Sequence, residues 1–386
     1  NGEYGYQLYI KIIQEENKMK VVTAIDSFKG SMTSMEAGFA AAEGIHRVDA
    51  DAEVQVRPLA DGGEGTVEAL VAGMNGKTEH VKVTGPLGEP VICEYGIIES
   101  TKTAVIEMAG AAGITQVPDE KRNPLYTTTY GVGEVIKDAI EKGCRRFIVG
   151  IGGSATNDGG VGMLQALGYA FLDKDGKQVL PGARGLKDIT EITAAYVIPE
   201  LAECKFRVAC DVTNPLCGEL GCSSIYGPQK GATPEMIQDM DQWLGAYAEL
   251  AKERFPKADA KYPGTGAAGG MGFAFLTFTD AVLESGINIV LDETKLEDYI
   301  KDADLVITGE GRMDGQTAMG KAPVGVAKLA KKYGKKVIAF AGAVQRDARA
   351  CNDAGIDAFF PILRGVVTLE AVSYTHLRAH ETDQYL

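Results

Sequence analysis

A glycine-rich segment between two apolar runs most constrains what this chain can fold into. Residues Gly150–Gly162 read Gly-Ile-Gly-Gly-Ser-Ala-Thr-Asn-Asp-Gly-Gly-Val-Gly and contain six glycines. The preceding run Arg146–Val149 predicts a buried strand, and Met163–Leu167 predicts a helix. Glycine lets a backbone adopt positive φ and approach a ligand closely, and the first amides of a helix can hold an anion. The segment therefore predicts either an anion-binding loop or an ordinary glycine-rich turn.

Two further polar loops follow predicted strands near the start of the chain. Lys20–Ile25 and Glu53–Arg57 predict strands, and they precede the loops Asp26–Ser31 and Ala60–Thr66, each followed by a predicted helix. Repeated strand–loop–helix units are typical of a parallel, doubly wound α/β sheet. Because ligands of such sheets bind beyond the carboxyl ends of the strands, we expect both loops to face a ligand.

The helix after the first polar loop has a recognisable start. Thr33-Ser-Met-Glu36 matches a capping box, in which each of the two outer side chains satisfies a backbone amide. Met35, Phe39 and Ala42 recur at helical spacing, so we expect these side chains to pack on the sheet.

The sequence pattern also predicts how the chain divides. From about Lys77 short alternating segments predict an antiparallel meander, and strand–loop–helix units return in the last part of the chain. We therefore predict one parallel-sheet domain built from residues 19–75 and 286–371. A second α/β domain, residues 76–285, is predicted to be inserted between these two parts.

Both ends of the chain break from these patterns. Residues 1–18 lack a consistent period and an apolar signal-peptide core, and residues 372–386 depart abruptly from the preceding sequence. We expect both segments to be translated flanking sequence. His376 and His380 lie four residues apart in the second segment, and for that reason we do not interpret them as a metal-binding pair.

The acidic composition limits the classes of partner. The 386-residue chain has a formal net charge of −14 and a pI of about 4.9, which argues against nucleic acid as its main partner. No apolar run approaches the roughly 18 residues that a membrane span needs. Seven cysteines without a Cys-x-x-Cys pair do not indicate a disulfide framework, so we expect a cytoplasmic protein.

The residues at the predicted strand ends indicate the chemistry. Outside the C-terminal flank only His46 and His80 occur, and neither adjoins a polar loop, so histidine-based hydrolysis and a zinc site are poorly supported. The strand ends carry carboxylates and cations instead: Asp26, Asp61, Glu64, Asp158, Asp211, Glu310 and Asp314, with Lys29, Arg312 and Lys321. Each carboxylate alone could be an ordinary turn or N-cap residue. Together they suit phosphoryl transfer from a magnesium nucleotide.

Two glycine-rich segments leave alternatives open. Gly315–Ala322 comes close to a Walker A loop, but Ala322 replaces the Mg²⁺-binding hydroxyl and the predicted strand ends too early, at Thr308. Pro263–Gly272 predicts either a ligand loop or a connection that packs closely against another backbone.

Five motifs in this order resemble the glycerate kinase type 1 family. They are Asp26-Ser-Phe-Lys-Gly-Ser31, Ala60-Asp-Gly-Gly-Glu-Gly-Thr66, Gly152-Gly-Ser-Ala-Thr-Asn-Asp-Gly-Gly160, Asp211-Val-Thr-Asn-Pro-Leu216 and Thr308-Gly-Glu-Gly-Arg-Met-Asp-Gly-Gln-Thr317. The resemblance covers residues 19–371 and implies ATP-dependent phosphorylation of D-glycerate with Mg²⁺, in this family typically to 2-phosphoglycerate. It also implies a flavodoxin-like domain built from both chain ends and an inserted mixed-sheet α/β domain. The family's further C-terminal helix is absent from the pattern of this chain.

Roles within the site are predicted by position. Predicted catalytic residues are Asp61, Asp211 and Lys29. Predicted substrate-binding residues are Asp26, Ser27, Lys29, Gly62, Gly63, Glu64, Asn214 and Arg312. Predicted nucleotide-binding residues are Gly152, Gly153, Ser154, Thr156, Asn157, Asp158, Gly159, Gly309, Gly311 and Lys321. Predicted Mg²⁺ ligands are Asp158, Glu310 and Asp314.

Other functions stay open at this level. The loops indicate phosphate and hydroxyl groups without naming the acid, so a kinase of another small hydroxy acid, or another phosphoryl-handling enzyme, is an alternative. A non-catalytic sugar-acid sensor is a second alternative. The expected partner is a small molecule, D-glycerate, with neither nucleic acid nor a membrane, and the oligomeric state is open.

Overall fold

A computed structural model describes residues 18–63 and 65–363 of the chain. The chain divides into two compact units. The outer unit comprises the residues up to Asp61 and those from Val290 onward, and the middle unit comprises Gly62–Ile289. Glu64, predicted to bind substrate, lies outside the described residues, as do residues 1–17 and 364–386 with His376 and His380.

Thirteen strands occur in the described residues, and they are numbered in chain order. They are β1 (Lys20–Ile25), β2 (Glu53–Val56), β3 (Lys77–Thr84), β4 (Pro90–Ile98), β5 (Thr103–Glu107), β6 (Arg146–Gly150), β7 (Ala170–Leu172), β8 (Glu191–Thr193), β9 (Lys205–Ala209), β10 (Ala281–Glu284), β11 (Leu305–Met313), β12 (Lys336–Val344) and β13 (Ala358–Pro361).

The α-helices of the same residues are numbered in the same way. They are α1 (Ser34–Val48), α2 (Thr66–Gly73), α3 (Ala109–Ala112), α4 (Tyr130–Glu141), α5 (Val161–Ala166), α6 (Cys222–Tyr226), α7 (Pro234–Arg254), α8 (Ala267–Phe278), α9 (Gly286–Glu293), α10 (Leu296–Asp302), α11 (Gly315–Ala318), α12 (Ala322–Lys332) and α13 (Ala350–Asp353). Within the described part of the chain, every helix is too short or too polar to span a membrane.

The outer unit contains a parallel five-stranded sheet with the order β13-β12-β11-β1-β2. All four neighbouring pairs are parallel. Read from the β2 edge, the order is β2-β1-β11-β12-β13. The first strand of the chain is thus second in the sheet, which is the flavodoxin-like order. The predicted flavodoxin-like sheet is therefore confirmed. The direction in which strands are added reverses between β1 and β11, and ligands of doubly wound sheets bind at this switch point.

Helix α1 begins as predicted but buries a different face. The Glu36 amide donates to Thr33 Oγ1 over 3.2 Å and the Thr33 amide donates to Glu36 Oε2 over 2.8 Å, which confirms the capping box. The prediction that Phe39 packs on the sheet is wrong, because its side chain is 57% exposed. Small residues face the sheet instead, and a Cβ added to Gly38 would lie 2.5 Å from Val56 Cγ1. The helix approaches the strands too closely for a bulky side chain there.

A buried serine joins three segments of the outer unit. The Ser34 hydroxyl donates to the Ile25 carbonyl at the end of β1, over 2.6 Å. The same oxygen accepts the Leu59 amide over 2.8 Å, so the segment after β2 is held beside the carboxyl end of β1. These bonds fix the polar loops that follow both strands.

We expect Ser34→Ala to lower the free energy of unfolding by about 1–3 kcal/mol, because the buried Leu59 amide loses its acceptor. Chemical denaturation of the two proteins measures this difference. Ser100→Ala is the control, since Ser100 is exposed in the turn between β4 and β5. Equal stabilities of the Ser34 and Ser100 variants would contradict the assigned role.

The middle unit is built around a six-stranded mixed sheet with the order β10-β9-β6-β5-β4-β3. The four strands from β10 to β5 are parallel, and β4 and β3 extend the sheet antiparallel. This confirms both the mixed α/β class and the predicted meander. Aromatic side chains fill the core, with the rings of Phe147 and Phe206 stacked at 4.7 Å and Phe275 in contact with Phe206.

The two predicted boundaries differ from the observed division. They were placed at 75/76 and 285/286, whereas the compact units meet at 61/62 and 289/290. Helix α2 explains the first difference, because it packs on β4 and β5 of the middle unit. The interpretation of the two units as separate domains stays a prediction.

Candidate functional site

Three carboxylates meet at the switch point of the outer sheet. Asp26 directly follows β1, and its amide donates to the Gly309 carbonyl of β11 over 2.9 Å. Gly309 is the last residue of β11 that pairs with β1, so Glu310 is the first residue beyond that pairing. The charge of Asp61 acts on both Asp26 and Glu310. We call Asp26, Asp61 and Glu310 the acidic cluster.

Burial and like charge shape the protonation of Asp26. Only 7% of the residue is exposed. Burial is the largest cause that raises the pKa of Asp26 to about 7, and the charges of Asp61 and Glu310 raise it further. The Ser27 amide, which donates to Asp26 Oδ1 over 2.7 Å, and the Lys29 ammonium oppose this increase. Near neutral pH the side chain can therefore accept and release a proton.

Glu310 is held by one hydrogen bond. Thr317 Oγ1 donates to Glu310 Oε1 over 2.5 Å, and the second oxygen, Oε2, has no hydrogen bond within the described residues. Burial raises the pKa of Glu310, and the Thr317 hydroxyl and Lys321 ammonium oppose that increase. The carboxylate is thus oriented while one oxygen stays available to a ligand.

Asp314, predicted to bind Mg²⁺, caps helix α11. Its Oδ1 accepts the amides of Gln316 and Thr317 over 3.0 and 3.3 Å. Burial raises the pKa of Asp314, but the Lys321 ammonium, these two amides and the Arg312 guanidinium outweigh it, so the pKa is lowered overall. Asp314 therefore has the N-cap role that the sequence left open as an alternative, and its predicted Mg²⁺ role stays a prediction.

The predicted cations lie near these carboxylates with different exposure. Arg312 Nε is 3.2 Å from Asp314 Oδ2, and Lys321 Nζ is 3.8 Å from Asp314 Oδ1. Lys29 is exposed, and its ammonium forms no hydrogen bond or ion pair with the part of the chain that the structure describes. Lys29 is accordingly the cation most accessible to an anionic substrate among the three.

One of the two predicted glycines of β11 serves packing. A Cβ added to Gly309 would lie 2.2 Å from the Phe340 carbonyl oxygen, which excludes a side chain there. A Cβ added to Gly311 would lie 3.6 Å from Phe28 Cα, an ordinary contact distance, so the predicted nucleotide role of Gly311 stays a prediction. Residues 315–322 do not form a Walker A loop, because Gly315–Ala318 is a short helix. The strand itself runs to Met313, so the expectation that it ends at Thr308 is wrong.

In the middle unit, a buried carboxylate organises the glycine-rich loop between β6 and α5. Asp158 Oδ2 accepts the Thr129 amide and hydroxyl over 2.8 and 2.9 Å and the Gly162 amide over 3.4 Å, and Oδ1 accepts the Gly160 amide over 3.2 Å. The residue is 1% exposed. Burial raises the pKa of Asp158, although these hydrogen bonds oppose the increase. These contacts give Asp158 a structural role within the loop, and its predicted Mg²⁺ and nucleotide roles stay predictions.

Three other residues of this loop that are predicted to bind nucleotide also face the core of the middle unit. Thr156 and Asn157 are fully buried. Asn157 Nδ2 donates to Ser223 Oγ over 2.8 Å, and Gly159 lies so close to Tyr247 that an added Cβ would be 2.9 Å from its ring. Because periodicity does not reveal which residues of a loop face the core, the sequence could not separate these from the ligand-facing ones.

The accessible part of the loop is short. Gly152 and Gly153 are exposed, and Ser154 is 7% exposed. Gly62 and Gly63 lie beside this segment. A Cβ added to Gly150 would be 2.4 Å from the Gly62 carbonyl oxygen. A Cβ added to Gly152 would be 3.9 Å from Gly63 Cα. The predicted residues Gly62, Gly63, Gly152 and Gly153 are thus brought together at the carboxyl edge of the middle sheet.

Two predicted residues follow β9. Asp211 is exposed, and its Oδ1 accepts the Gly286 amide over 3.3 Å. Asn214 Nδ2 donates to the Leu220 carbonyl over 2.8 Å, and Asn214 Oδ1 accepts the Tyr226 hydroxyl over 2.7 Å. The Asn214 side chain therefore holds its own loop, whereas the Asp211 carboxylate remains exposed at the sheet edge.

Lys230 is a buried cation that sequence reasoning missed. It is 2% exposed, and its Nζ donates to Ser154 Oγ over 2.9 Å and to the Thr156 carbonyl over 2.6 Å. Burial lowers the pKa of Lys230 to about 8. Lys230 stands in the segment Gly-Pro-Gln-Lys-Gly of residues 227–231, whose composition is typical of a turn. Because a lysine in a turn is ordinarily solvated, no sequence signal distinguishes Lys230.

The glycine-rich stretch 263–272 packs against the backbone of the same loop. The Gly159 amide donates to the Gly269 carbonyl over 2.9 Å, and a Cβ on Gly269 would be 2.1 Å from the Thr156 carbonyl oxygen. Of the two alternatives, close backbone packing is the one observed. The stretch also begins helix α8, with Ala268, Gly269 and Gly270 in the left-handed region.

No group of three or more Asp, Glu, His and Cys side chains within residues 18–63 and 65–363 is arranged to hold a metal ion. Mg²⁺ that arrives with nucleotide phosphates needs only one or two protein carboxylates. The free Oε2 of Glu310 fits that smaller requirement.

The comparison with known proteins decides the family. A sequence profile described as "Glycerate kinase family" matches residues 21–382. The chain belongs to the glycerate kinase family. It is therefore a kinase, and ATP is the phosphoryl donor. Since the match extends past residue 371, the interpretation of residues 372–386 as flanking sequence stays a prediction.

Similar proteins carry the same family name. A "Glycerate kinase" of Haemophilus influenzae is 52% identical over 89% of this chain and 91% of its own length. A "Glycerate 2-kinase" of Escherichia coli is 49% identical over 91% and 92% of the two chains. A crystal structure from Salmonella typhimurium LT2, assigned as a glycerate kinase 2, has a TM-score of 0.85 and 44% identity and covers 96% and 100% of the two chains.

We expect Asp26→Asn to raise the thermal unfolding midpoint more at pH 8 than at pH 5. The pKa of Asp26 is raised from 3.8 to about 7, so the folded state holds this proton more tightly than the unfolded state. The resulting cost in stability is complete above pH 7, decreases as the pH falls through 7 and vanishes only below the unfolded value. Thermal unfolding at both pH values measures the effect.

Asp298→Asn is the control for this prediction, because Asp298 lies in the same unit with a side chain that is 67% exposed. An equal shift of the Asp26 variant at both pH values would contradict the assigned protonation.

Proposed function

We propose that this kinase transfers the terminal phosphoryl group of ATP to D-glycerate, with 2-phosphoglycerate as the product. Family membership and relatives named glycerate kinase and glycerate 2-kinase support the reaction. The acidic cluster is the observation on this chain that carries the assignment, because a carboxylate of raised pKa at a ligand-binding edge suits removal of a proton from an alcohol.

The carboxylates orient and deprotonate the attacking hydroxyl. We assign the base to Asp61, with Asp26 beside it, and burial raises the pKa of Asp26 to about 7, so that Asp26 can hold the proton taken from the hydroxyl of glycerate near neutral pH. Asp211, which is exposed at the edge of the middle sheet, is retained as the second predicted catalytic carboxylate. Lys29 and Arg312, both exposed, bind the substrate carboxylate by charge-assisted hydrogen bonds, and Ser27 binds it through its hydroxyl.

Nucleotide phosphates bind at the exposed glycines of the middle unit. Gly152 and Gly153 offer backbone amides that have no partner within the described residues. Lys321 precedes helix α12 and supplies a further cation. Such contacts stabilise the charge of a transferring phosphoryl group without histidine.

Mg²⁺ fits the carboxylates of the outer unit. Glu310 would hold it through its free oxygen, with Asp314 as an outer partner, and the ion would neutralise charge on the phosphates. The residues that surround Glu310 keep its carboxylate oriented before the nucleotide arrives.

We also place the reaction in the cytoplasm, because all seven cysteines are free thiols, as a reducing compartment maintains them.

ADP formation with MgATP, measured with and without D-glycerate, tests the function. We expect ADP release that requires D-glycerate and does not occur with L-glycerate, glycolate or tartronate. Phosphorus NMR of the product distinguishes 2-phosphoglycerate from 3-phosphoglycerate. Turnover with a different hydroxy acid alone would favour the alternative substrate, and ATP binding without any turnover would favour the sensor.

We expect Asp61→Asn to lower kcat by about 10²–10⁴-fold and to change the KM of ATP little, because the hydroxyl loses its base. Steady-state kinetics measures both parameters, and Asp298→Asn is again the exposed control. Asp211→Asn is measured beside them. If Asp61→Asn and Asp211→Asn both keep near-normal kcat, the assigned base is wrong.

A further inference from the structure

Lys230 is a buried cation without an anionic partner. Its ammonium is 2% exposed and donates to one hydroxyl and one carbonyl oxygen, Ser154 Oγ and the Thr156 carbonyl. It forms no ion pair with the described residues. Buried charges are ordinarily paired with an opposite charge. Two ionisable groups act on Lys230, Cys222 and Asp158, but neither forms an ion pair with it. The Cys222 thiol has a pKa raised to about 11, and the Asp158 carboxylate accepts its hydrogen bonds from Thr129, Gly160 and Gly162.

The Lys230 contact sets the direction of the Ser154 hydroxyl proton. An ammonium group only donates, so Ser154 Oγ is the acceptor of this bond. The hydroxyl proton must then point to another acceptor, and none exists for it within the described residues. Ser154 is 7% exposed, so the acceptor can be a ligand. The positive charge behind Oγ strengthens this donor.

The neighbouring residues add two donors of the same kind. The amides of Gly152 and Gly153 form no hydrogen bond with the described residues, and both glycines are exposed. Gly153 has a φ of +71°, the left-handed conformation that lets consecutive amides form an anion-binding concavity. Gly152, Gly153 and Ser154 thus present three consecutive donors.

We propose that Lys230 is a positioning residue for nucleotide phosphate, acting through the Ser154 hydroxyl, which it turns into a donor to a phosphate oxygen. This rests on the proposed function and adds to it a cation that the sequence motifs do not contain. Three consecutive donors beside a buried cation suit the three outer oxygens of a terminal phosphate, which carries more negative charge than a carboxylate. The site is therefore assigned to phosphate.

Binding measurements on four variants test this. Isothermal titration calorimetry gives the Kd of ATP, of inorganic tripolyphosphate and of D-glycerate for Lys230→Met, Ser154→Ala, the double variant and Ser154→Thr. We expect Lys230→Met and Ser154→Ala each to raise the Kd of ATP and tripolyphosphate about tenfold, with that of D-glycerate changed less than threefold. Because Lys230 and Ser154 act through one contact, the Kd of ATP for the double variant should not exceed that of the single variant with the higher Kd.

Two controls separate positioning from folding. Ser154→Thr keeps the hydroxyl and should retain ATP affinity within threefold. Ser223→Ala removes a hydroxyl from the inner side of the same loop, where it accepts from Asn157, and should leave the Kd of ATP unchanged. The thermal midpoint of each variant is measured beside its Kd, because Lys230→Met removes a buried charge but also leaves the Thr156 carbonyl without its donor.

A pH series on the wild type and Ser154→Ala keeps the proposal testable if Lys230→Met does not fold. Burial lowers the pKa of Lys230 to about 8, and the charges of Cys222 and Asp158 oppose this decrease. The side chain is therefore mostly charged at pH 7 and mostly neutral at pH 9. ATP affinity of the wild type should therefore fall about tenfold between these values, and that of Ser154→Ala should fall less.

The outcomes are distinguishable from failure of the proposed function. Additive losses in the double variant, a loss for D-glycerate in place of ATP, or unchanged ATP affinity in Lys230→Met or Ser154→Ala would overturn the role of Lys230. Absence of glycerate-dependent ADP formation by the wild type would instead overturn the proposed function, while the binding measurements would still decide where phosphate binds.

Discussion

Parallel strand pairing is the constraint on which the polar sites of this protein depend. Because neighbouring strands run in the same direction, the loops at their carboxyl ends must meet at one edge of each sheet. In the outer unit this edge gathers the acidic cluster at the switch point between β1 and β11. In the middle unit it gathers Gly62, the exposed turn Gly152–Ser154 and Asp211. Both constellations therefore follow from topology.

Each unit holds a buried charged group, and the two groups have opposite sign. Asp26 is buried beside other carboxylates, and Lys230 is buried with hydrogen bonds only to a hydroxyl and a carbonyl, so each has a pKa shifted against its charged form. Such arrangements cost folding free energy, and proteins retain them mostly where a ligand repays the cost. A phosphoryl-transfer enzyme needs both signs, since it removes a proton from an alcohol and holds an anionic phosphate.

The buried residues of the glycine-rich loop show where sequence reasoning stops. Asp158 and Asn157 stand in a polar loop beside Ser154, yet they point into the core and hold Thr129 and Ser223. The sequence records their polarity but not their direction, because loops lack the period that separates buried from exposed faces in helices and strands. Even in helix α1, close approach to the sheet overrode the periodic pattern and left Phe39 exposed.

The sequence by itself determined the fold class, the meander, the capping box of α1 and the motifs that identify the family, since these depend on local periodicity and on residue order. Only the tertiary structure decided that α2 belongs to the middle unit, that Asp314 caps a helix and that Lys230 lies behind Ser154. Lys230 and Ser154 are far apart in the sequence, and burial depends on everything packed around a residue. No local pattern encodes either property.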